Sequence, residues 1–352
     1  MNKNFIKKSI LILSVVFLIT GCPYGYKYDQ GFLTTTPVNL EDFNTEYDDY
    51  NMSEPTYGTT FPLLFSSNRK SFGEEYDIIF ETFEIEFDRD DASVTAGRAF
   101  IPYSGNSSPR LLNILLQTIN TPNNELGPYI VEYHSLYSNY DDKYYNKYLV
   151  MYANDESGNL DIRYTLNHNP EDDSSVVFIP PEPATFLNSD YNEAYPCLDL
   201  ELNRIYYCTD QNGDFDIYFG QITTDKNIID VLSDSLAEVP LTRSELLSSE
   251  ADDKCPYITD NIIVFTSNRA GGFGGFDLWY AEKDDTGWSA PINFGDKINT
   301  ESDEYRPLLV PLWDFKHDLL LFSSNRPGGL GGFDLYWVGV EAIVTNTNVD
   351  RD

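Results

Sequence analysis

The sequence predicts an all-β protein that folds as a single β-propeller of five four-stranded blades, closed into a ring by its N-terminal strand. Aromatic residues make up 15% of the 352 residues, with 26 Tyr and 22 Phe, and this composition favours strands. One hairpin pattern recurs five times, which is the signature of a repeat architecture. The chain also begins with a strand-like segment that the last copy lacks, and pairing the two would close the ring.

Composition and charge exclude several classes of function. The chain carries 57 acidic and 23 basic residues, a formal charge of −34, which repels nucleic-acid phosphates. With 41% hydrophobic residues it is too apolar for a disordered acidic chain. The common hydrolase, nucleotide and zinc motifs are missing from the sequence. We therefore expect no nucleic-acid partner and favour a non-enzymatic role.

The first 21 residues are predicted to be a signal peptide. Lys3, Lys7 and Lys8 form a basic segment, and an apolar run of ten residues follows, which is too short to span a bilayer. The run ends at Cys22 in a segment that resembles the lipobox of bacterial lipoproteins. We expect Cys22 to be lipidated, residues 22–30 to form a tether, and the protein to be an outer-membrane lipoprotein of the bacterial cell envelope, on either the periplasmic or the surface face.

Three further cysteines remain, Cys197, Cys208 and Cys255. If residues 202–204 form the turn of a hairpin, Cys197 and Cys208 face each other across it. In an oxidising compartment this pair is the expected disulfide.

The repeat is clearest near the C-terminus. Phe265-Thr-Ser-Asn-Arg-Ala-Gly-Gly-Phe-Gly-Gly-Phe-Asp277 matches Phe322-Ser-Ser-Asn-Arg-Pro-Gly-Gly-Leu-Gly-Gly-Phe-Asp334. Each copy reads as a strand, a Gly- or Asn-rich loop and a second strand, which indicates a hairpin. The predicted propeller spans residues 31–352, with blade hairpins near 63–80, 148–164, 204–218, 262–280 and 319–338.

The number of blades follows from the spacing of the hairpin aspartates. Asp77 and Asp161 are 84 residues apart, against 55 to 61 for the other neighbouring pairs, which leaves room for a sixth unit. Only one Asn-Thr-Glu-Pro element, the segment that precedes the hairpins, lies in this gap. Five blades are therefore favoured, with an insertion within residues 81–116. The segment from Pro37 to Thr45 resembles the one from Pro291 to Thr300, and it supplies the closing strand.

The polar residues of the repeat are predicted to be structural, because a feature present in most blades usually solves a problem that every blade has. Glycine permits a tight loop, and Asp paired with Arg braces it. These residues are Asn68, Arg69, Asp77, Asp161, Asp216, Asn268, Arg269, Asp277, Asn325, Arg326 and Asp334.

Two other segments are candidates for ligand contact. The loop from Asp210 to Asp216 superficially resembles a calcium loop, but its glycine and its missing final Glu do not fit an EF-hand, so no cofactor or metal is expected and Ca²⁺ is a minor alternative. The second segment is rich in tyrosine, which gives large amphipathic contact area. Its candidate binding residues are Tyr137, Tyr140, Tyr144 and Tyr145.

The pattern from Asn-Thr through Glu-x-x-Pro to Ser-Asn-Arg-x-Gly-Gly-x-Gly-Gly-x-Asp resembles the WD40-like PD40 repeats of the TolB-like propeller superfamily, found in envelope lipoproteins of Bacteroidetes-type bacteria. The resemblance implies a non-catalytic propeller that binds proteins or glycans. We therefore expect a lipid-anchored scaffolding subunit of an envelope complex, with an envelope protein as partner and membrane contact only through the lipid. Two alternatives stay open: a glycan-binding accessory lipoprotein, and a glycosidase or lyase that uses a pair of acids.

Overall fold

The computed structural model describes residues 32–343 except 55–58, 89, 91–92, 100–108, 139–142, 169–176, 224, 285–286, 313–314 and 342. These residues form five antiparallel sheets that follow one another along the chain. The innermost strand of each sheet contacts the innermost strands of two other sheets in cyclic order, so the sheets surround a common axis. The fold is the five-bladed β-propeller that the sequence predicts.

The strands are numbered in chain order and grouped by blade. Blade 1 contains β2 (Asp49–Ser53), β3 (Thr60–Ser67), β4 (Asp77–Asp88) and β5 (Ser93–Arg98). Blade 2 contains β6 (Glu125–Ser138), β7 (Lys143–Asn154), β8 (Asp161–His168), β9 (Val177–Phe178) and β10 (Glu182–Pro183). Blade 3 contains β11 (Glu193–Asp199), β12 (Arg204–Thr209), β13 (Asp216–Gln221) and β14 (Leu241–Arg243). Blade 4 contains β15 (Asp253–Thr259), β16 (Ile262–Ser267), β17 (Asp277–Asp284), β18 (Gly287–Trp288) and β19 (Ile292–Asn293). Blade 5 contains β20 (Glu304–Val310), β21 (His317–Ser324), β22 (Asp334–Glu341) and β1 (Val38–Asn39).

The N-terminal strand closes the ring. Val38 of β1 pairs with Trp337 of β22, and Asn39 pairs with Tyr336. The side chain of Asn39 also donates a hydrogen bond of 2.7 Å to Asp334. The predicted closure is therefore confirmed, and it removes an open sheet edge that would otherwise face solvent.

The five inner strands, β2, β6, β11, β15 and β20, run in the same direction and share a β-bulge. We call the end of the axis where they begin the entry end, and the end where they finish the exit end. In each strand the third residue has a positive φ between 49° and 62°; these residues are Asn51, Gly127, Tyr195, Cys255 and Arg306. In four of the strands a proline follows, which the bulge tolerates because proline has no N–H to give to the ladder.

Two helices lie outside the sheets, α1 (Pro109–Ile119) and α2 (Ile228–Leu232). Leu112 and Leu115 of α1 are buried in a second apolar cluster with Ile130 and Val150 of blade 2, whereas the main core fills the blades. β4, β5 and α1 account for most of the described residues between the first two hairpins, where the sequence predicts an insertion. No helix in the described part of the chain is long and apolar enough to cross a bilayer.

The predicted disulfide is wrong. Cys197, Cys208 and Cys255 are all buried free thiols. In the β11–β12 ladder Cys197 pairs with Tyr206, and Cys208 pairs with Ala194. The physical reason is the bulge between Ala194 and Cys197, which shifts the register so that the two cysteines do not face each other.

Candidate functional site

A cavity of about 350 Å³ lies at the exit end of the axis. Its wall is formed by residues near the ends of β11 and β15, by residues that follow β2, β11 and β15, and by residues 129–132 in the middle of β6. Five of the lining residues are acidic: Glu54, Glu132, Asp199, Glu201 and Asp260. The cavity is therefore strongly negative, and it is built from parts of the chain that lie far apart in sequence.

These acids do not belong to the repeat. Four of them come from four different blades, and they stand five to seven residues after the acid with which each inner strand begins. Blade 5 contributes no described residue to the cavity wall. The exit end therefore breaks the five-fold pattern, as a site with its own chemistry does.

Glu132 is placed on β6, and its carboxylate accepts a hydrogen bond from the side-chain nitrogen of Asn146. Partial burial raises the pKa of Glu132 above its ordinary value, and the bond from Asn146 offsets this only in part. A carboxyl group with a raised pKa holds a proton closer to neutral pH, which is what a general acid needs.

Asp199 has a different environment. It is the last residue of β11, only 2% of its side chain is exposed, and it forms an ion pair of 3.0 Å with Lys283 of β17. The Nζ of Lys283 also lies 3.3 Å from the Oε2 of Glu201, whose side chain is 74% exposed at the rim of the cavity. The carboxylate of Asp199 is therefore fixed in a mostly buried ion pair beside the cavity.

Glu54 and two tyrosines form the deeper part of the wall. Glu54 is 3% exposed and accepts a hydrogen bond of 3.2 Å from the hydroxyl of Tyr257. The rings of Tyr257 and Tyr129 meet edge to face, with centroids 6.4 Å apart. Both tyrosines line the cavity, so this part of its wall combines an apolar surface with a carboxylate that accepts hydrogen bonds.

The arrangement thus places two carboxyl groups with different surroundings at one cavity. Burial raises the pKa of Glu132, whereas Asp199 forms an ion pair with Lys283. Different environments around two titratable groups in one cavity are typical of acid and base roles.

The predicted repeat residues lie instead at the entry end. Asp77, Asp161, Asp216, Asp277 and Asp334 each begin the third strand of a blade. In blade 4 the carboxylate of Asp277 accepts bonds from the backbone N–H groups of Phe273 at 2.7 Å and Gly274 at 3.1 Å. The same two bonds recur at Asp334. These aspartates shape the Gly-rich loops.

The asparagines of the repeat link neighbouring loops. The side-chain oxygen of Asn68 accepts a bond from the N–H of Asp48, and that of Asn325 accepts one from Asp303. The backbone of Asn268 donates to Asp252 at 3.3 Å.

The arginines of the repeat have partners that the sequence analysis did not predict. Arg69 pairs with Asp49 at 2.6 Å, and Arg269 and Arg326 pair in the same way with Asp253 and Glu304. The expected pairing with the hairpin aspartate is therefore wrong for these three. The reason is register: Asp49 pairs with Ser67, so the arginine two residues further on lies over the acid of the inner strand.

The tyrosine-rich segment lies on the β6–β7 hairpin, which continues beyond Glu132. Tyr137 pairs with Tyr144 in the backbone register, and Tyr145 pairs with Leu136. Tyr140 lies outside the described residues, as do Cys22, the signal peptide and the tether.

The segment that superficially resembles a calcium loop is occupied by protein contacts. Arg243 pairs with Asp216 at 2.7 Å, and Asn212 donates to the same carboxylate at 3.2 Å. No cluster of three or more candidate metal ligands occurs within the described ranges.

Comparison with known proteins returns structural matches alone. No protein-family model and no curated protein matches the sequence. The structure is similar to a thermostable family-43 glycoside hydrolase (TM-score 0.49, 11% identity, 88% of this chain and 94% of that chain). It is also similar to an endo-arabinase from Bacteroides thetaiotaomicron (TM-score 0.47, 13% identity, covering 90% of this chain and 99% of that chain). A third match is the catalytic domain of a GH62 α-L-arabinofuranosidase from Coprinopsis cinerea (TM-score 0.44, 10% identity, covering 88% of this chain and 96% of that chain).

These matches correct expectations drawn from the repeat motif. The structural neighbours are family-43 and family-62 glycoside hydrolases, so the assignment to the PD40 repeats of TolB-like propellers is wrong. The expectation of a non-enzymatic scaffold is wrong on the same finding, and a protein partner finds no support. The lipoprotein and outer-membrane expectations gain no support from these matches.

The cavity acids were not predicted from the sequence, because 57 acidic residues offer a pair almost anywhere. One signal was available: in blades 1 to 4 an acid outside the hairpin motif stands five to seven residues after the acid that begins the inner strand.

Proposed function

We propose that this protein is a glycoside hydrolase whose catalytic carboxyl groups are those of Glu132 and Asp199. The observation that carries the proposal is the axial cavity, in which burial raises the pKa of one acid and a lysine forms an ion pair with the other. Glycosidases need this combination, because one carboxyl group protonates the leaving oxygen while the other acts from the opposite face of the sugar.

In this mechanism Glu132 gives its proton to the glycosidic oxygen as the bond between that oxygen and the anomeric carbon breaks. The carboxylate of Asp199 acts in one of two ways. It takes a proton from the water that attacks the anomeric carbon, as a general base, or it attacks that carbon directly, as a nucleophile. The spacing of the two carboxyl groups in the complex decides between these courses, and the anomer of the first product reports the result. The ion pair with Lys283 holds the carboxylate of Asp199 in position.

The charge of the cavity favours a neutral glycan. Four carboxylates besides that of Glu132 line the wall, so a uronic acid or a phosphate would be repelled. Tyr129 and Tyr257 offer the apolar surface on which a sugar ring packs. These tyrosines alone would also suit a glycan-binding protein without hydrolysis, which is the second candidate.

The experiment measures hydrolysis of 4-nitrophenyl arabinofuranoside, xyloside, galactoside and glucoside, together with reducing ends released from neutral polysaccharides. For a substrate that is cleaved, Glu132→Gln and Asp199→Asn are each expected to lower kcat by about 10² to 10⁴. The basic limb of the pH profile is expected to disappear in the Glu132→Gln variant, because that limb reports the raised pKa of Glu132.

Glu201→Gln is the matched control. Glu201 shares Lys283 with Asp199 but is exposed at the rim, so its removal is expected to change kcat less than about threefold. Hydrolysis that survives in both Glu132→Gln and Asp199→Asn would contradict the assignment. Saturable binding of a neutral glycan without cleavage would favour the second candidate over the first.

We further propose that the protein acts in the bacterial cell envelope, anchored through Cys22. This proposal rests on the lipobox-like sequence. Metabolic labelling with an alkyne fatty acid is expected to mark the protein, and Cys22→Ser is expected to abolish the label and release the protein from membranes. An unlabelled soluble protein would contradict it.

A further inference from the structure

The centre of the propeller is occupied by one arginine side chain. Arg306 is the bulge residue of blade 5, and it is fully buried. Its Nε donates to the carbonyl of Met52 in blade 1 at 3.3 Å, and its Nη2 donates to the carbonyl of Pro128 in blade 2 at 3.0 Å. Its guanidinium carbon lies 5.6 Å from the ring centre of Tyr195 in blade 3. The side chain therefore reaches across the axis.

This guanidinium has no ion-pair partner in the part of the chain that the structure describes. The titratable groups that face it are the thiols of Cys197, Cys208 and Cys255 and the hydroxyl of Tyr195. Burial raises the pKa of every one of them, to about 12 for Cys255, so they stay neutral at physiological pH. A buried charge without compensation is strongly unfavourable.

Unpartnered polar atoms occur on the bulges of two adjacent blades. The Nη1 of Arg306 has no hydrogen-bond acceptor, and both the side-chain nitrogen and the side-chain oxygen of Asn51 lack partners. Asn51 is fully buried and is the bulge residue of blade 1, and it precedes Met52, whose carbonyl Arg306 binds. A guanidinium nitrogen and an amide group at equivalent positions of blades 5 and 1 are therefore buried without partners.

We propose that Arg306 and Asn51 hold a small monovalent anion, of the chloride class, on the propeller axis. The charge of the guanidinium favours an anion over water, because water would leave that charge uncompensated. Burial restricts the ligand to an ion of a few atoms at most. The site is separate from the exit cavity, since neither residue lines that cavity.

The first test is the dependence of thermal stability on the anion. The Tm is measured in sodium chloride, bromide or gluconate at equal ionic strength. An anion that binds only the folded protein raises Tm, by about 5 °C when its concentration is roughly a hundred times its Kd. Chloride and bromide are expected to do so, whereas gluconate is too large to enter. Equal Tm values in all three salts would overturn the proposal.

A charge replacement makes the test specific. Asn51→Asp is nearly isosteric, and Asp tolerates the left-handed conformation of this position. Its carboxylate would take the place of the anion, so the variant is expected to keep a high Tm in gluconate and to lose the response to chloride. Gln211→Glu makes the same change of charge at an exposed site and is expected to keep the full response. An Asn51→Asp variant that responds like the unmodified protein would contradict the proposal.

Crystals grown in bromide give the direct observation. An anomalous peak between Nη1 of Arg306 and the side chain of Asn51 is expected. Density at that point without anomalous signal, refining as water, would overturn the proposal.

Discussion

The two ends of the propeller axis are built on opposite principles. At the entry end every inner strand begins with a buried acid that accepts hydrogen bonds from the backbone and hydroxyl of a Thr or Ser four residues earlier; these residues are Thr45, Thr121, Ser189, Ser249 and Thr300. At the exit end the cavity acids have individual partners, such as Lys283 for Asp199 and Tyr257 for Glu54.

This difference distinguishes acids with a structural role from acids that are candidates for catalysis, in a chain that carries 57 acidic residues. An acid that is repeated with its partner solves the problem of joining a loop to a blade. An acid with its own surroundings is free to take a specific role. Changes at the entry end are therefore expected to lower stability, and changes at the exit end to lower activity without unfolding the protein.

The largest stability effect is expected from Gly331→Ala in the loop of blade 5. A Cβ atom at this position would overlap the backbone carbonyl of Tyr47, so the joint between the last and first blades would have to open. We expect a loss of about 3 kcal/mol in the free energy of unfolding. Urea denaturation measures it. Gly213→Ala is the comparison, with no atom within 4 Å, and we expect about 1 kcal/mol there from its positive φ alone. Equal losses in both variants would show that the close approach is unimportant.

A smaller effect is expected from Arg326→Met, which removes the ion-pair partner of the fully buried Glu304 and leaves its hydrogen bonds from Thr300 and Ser324. Loss of this pair is expected to cost about 2 kcal/mol at pH 8, and less at pH 5, because Glu304 without the guanidinium protonates more readily. Chemical denaturation at the two pH values measures this. Arg163→Met breaks an exposed ion pair and is expected to cost under about 0.5 kcal/mol. A loss in Arg326→Met that is independent of pH would argue against a charge effect.

The smallest effect concerns blade 2, because the buried Glu125 is bonded by Asn154 and Thr121 where blades 1, 4 and 5 use an arginine. Burial raises the pKa of Glu125 to about 7. The folded protein therefore binds more protons than the unfolded one between about pH 4.5 and pH 7, and stability falls as the pH rises through this window. Glu125→Gln is expected to flatten that fall by about 1 kcal/mol. Parallel stability curves for the two proteins from pH 4.5 to pH 8 would contradict this.

Much of the fold was predictable because repeats are local. The spacing of Asp77, Asp161 and the later hairpin aspartates indicates five blades, and the segment after Pro37 indicates how the ring closes. The two errors concern strand register. The bulge in β11 separates Cys197 from Cys208. The regular pairing of Asp49 with Ser67 places Arg69 on the inner acid rather than on Asp77.

The all-β class, the five blades and the closing strand follow from the amino-acid sequence alone, since they depend on periodic patterns and on pairing between segments of similar sequence. Which acids share a cavity, and what surrounds Arg306, depends on how the blades pack around the axis. Glu54, Glu132 and Asp199 meet because the inner strands of three blades pass the same end of the axis. The raised pKa of Glu132 depends on burial, and the ion pair of Asp199 depends on Lys283 from another blade, so neither can be read from the neighbouring residues in the chain.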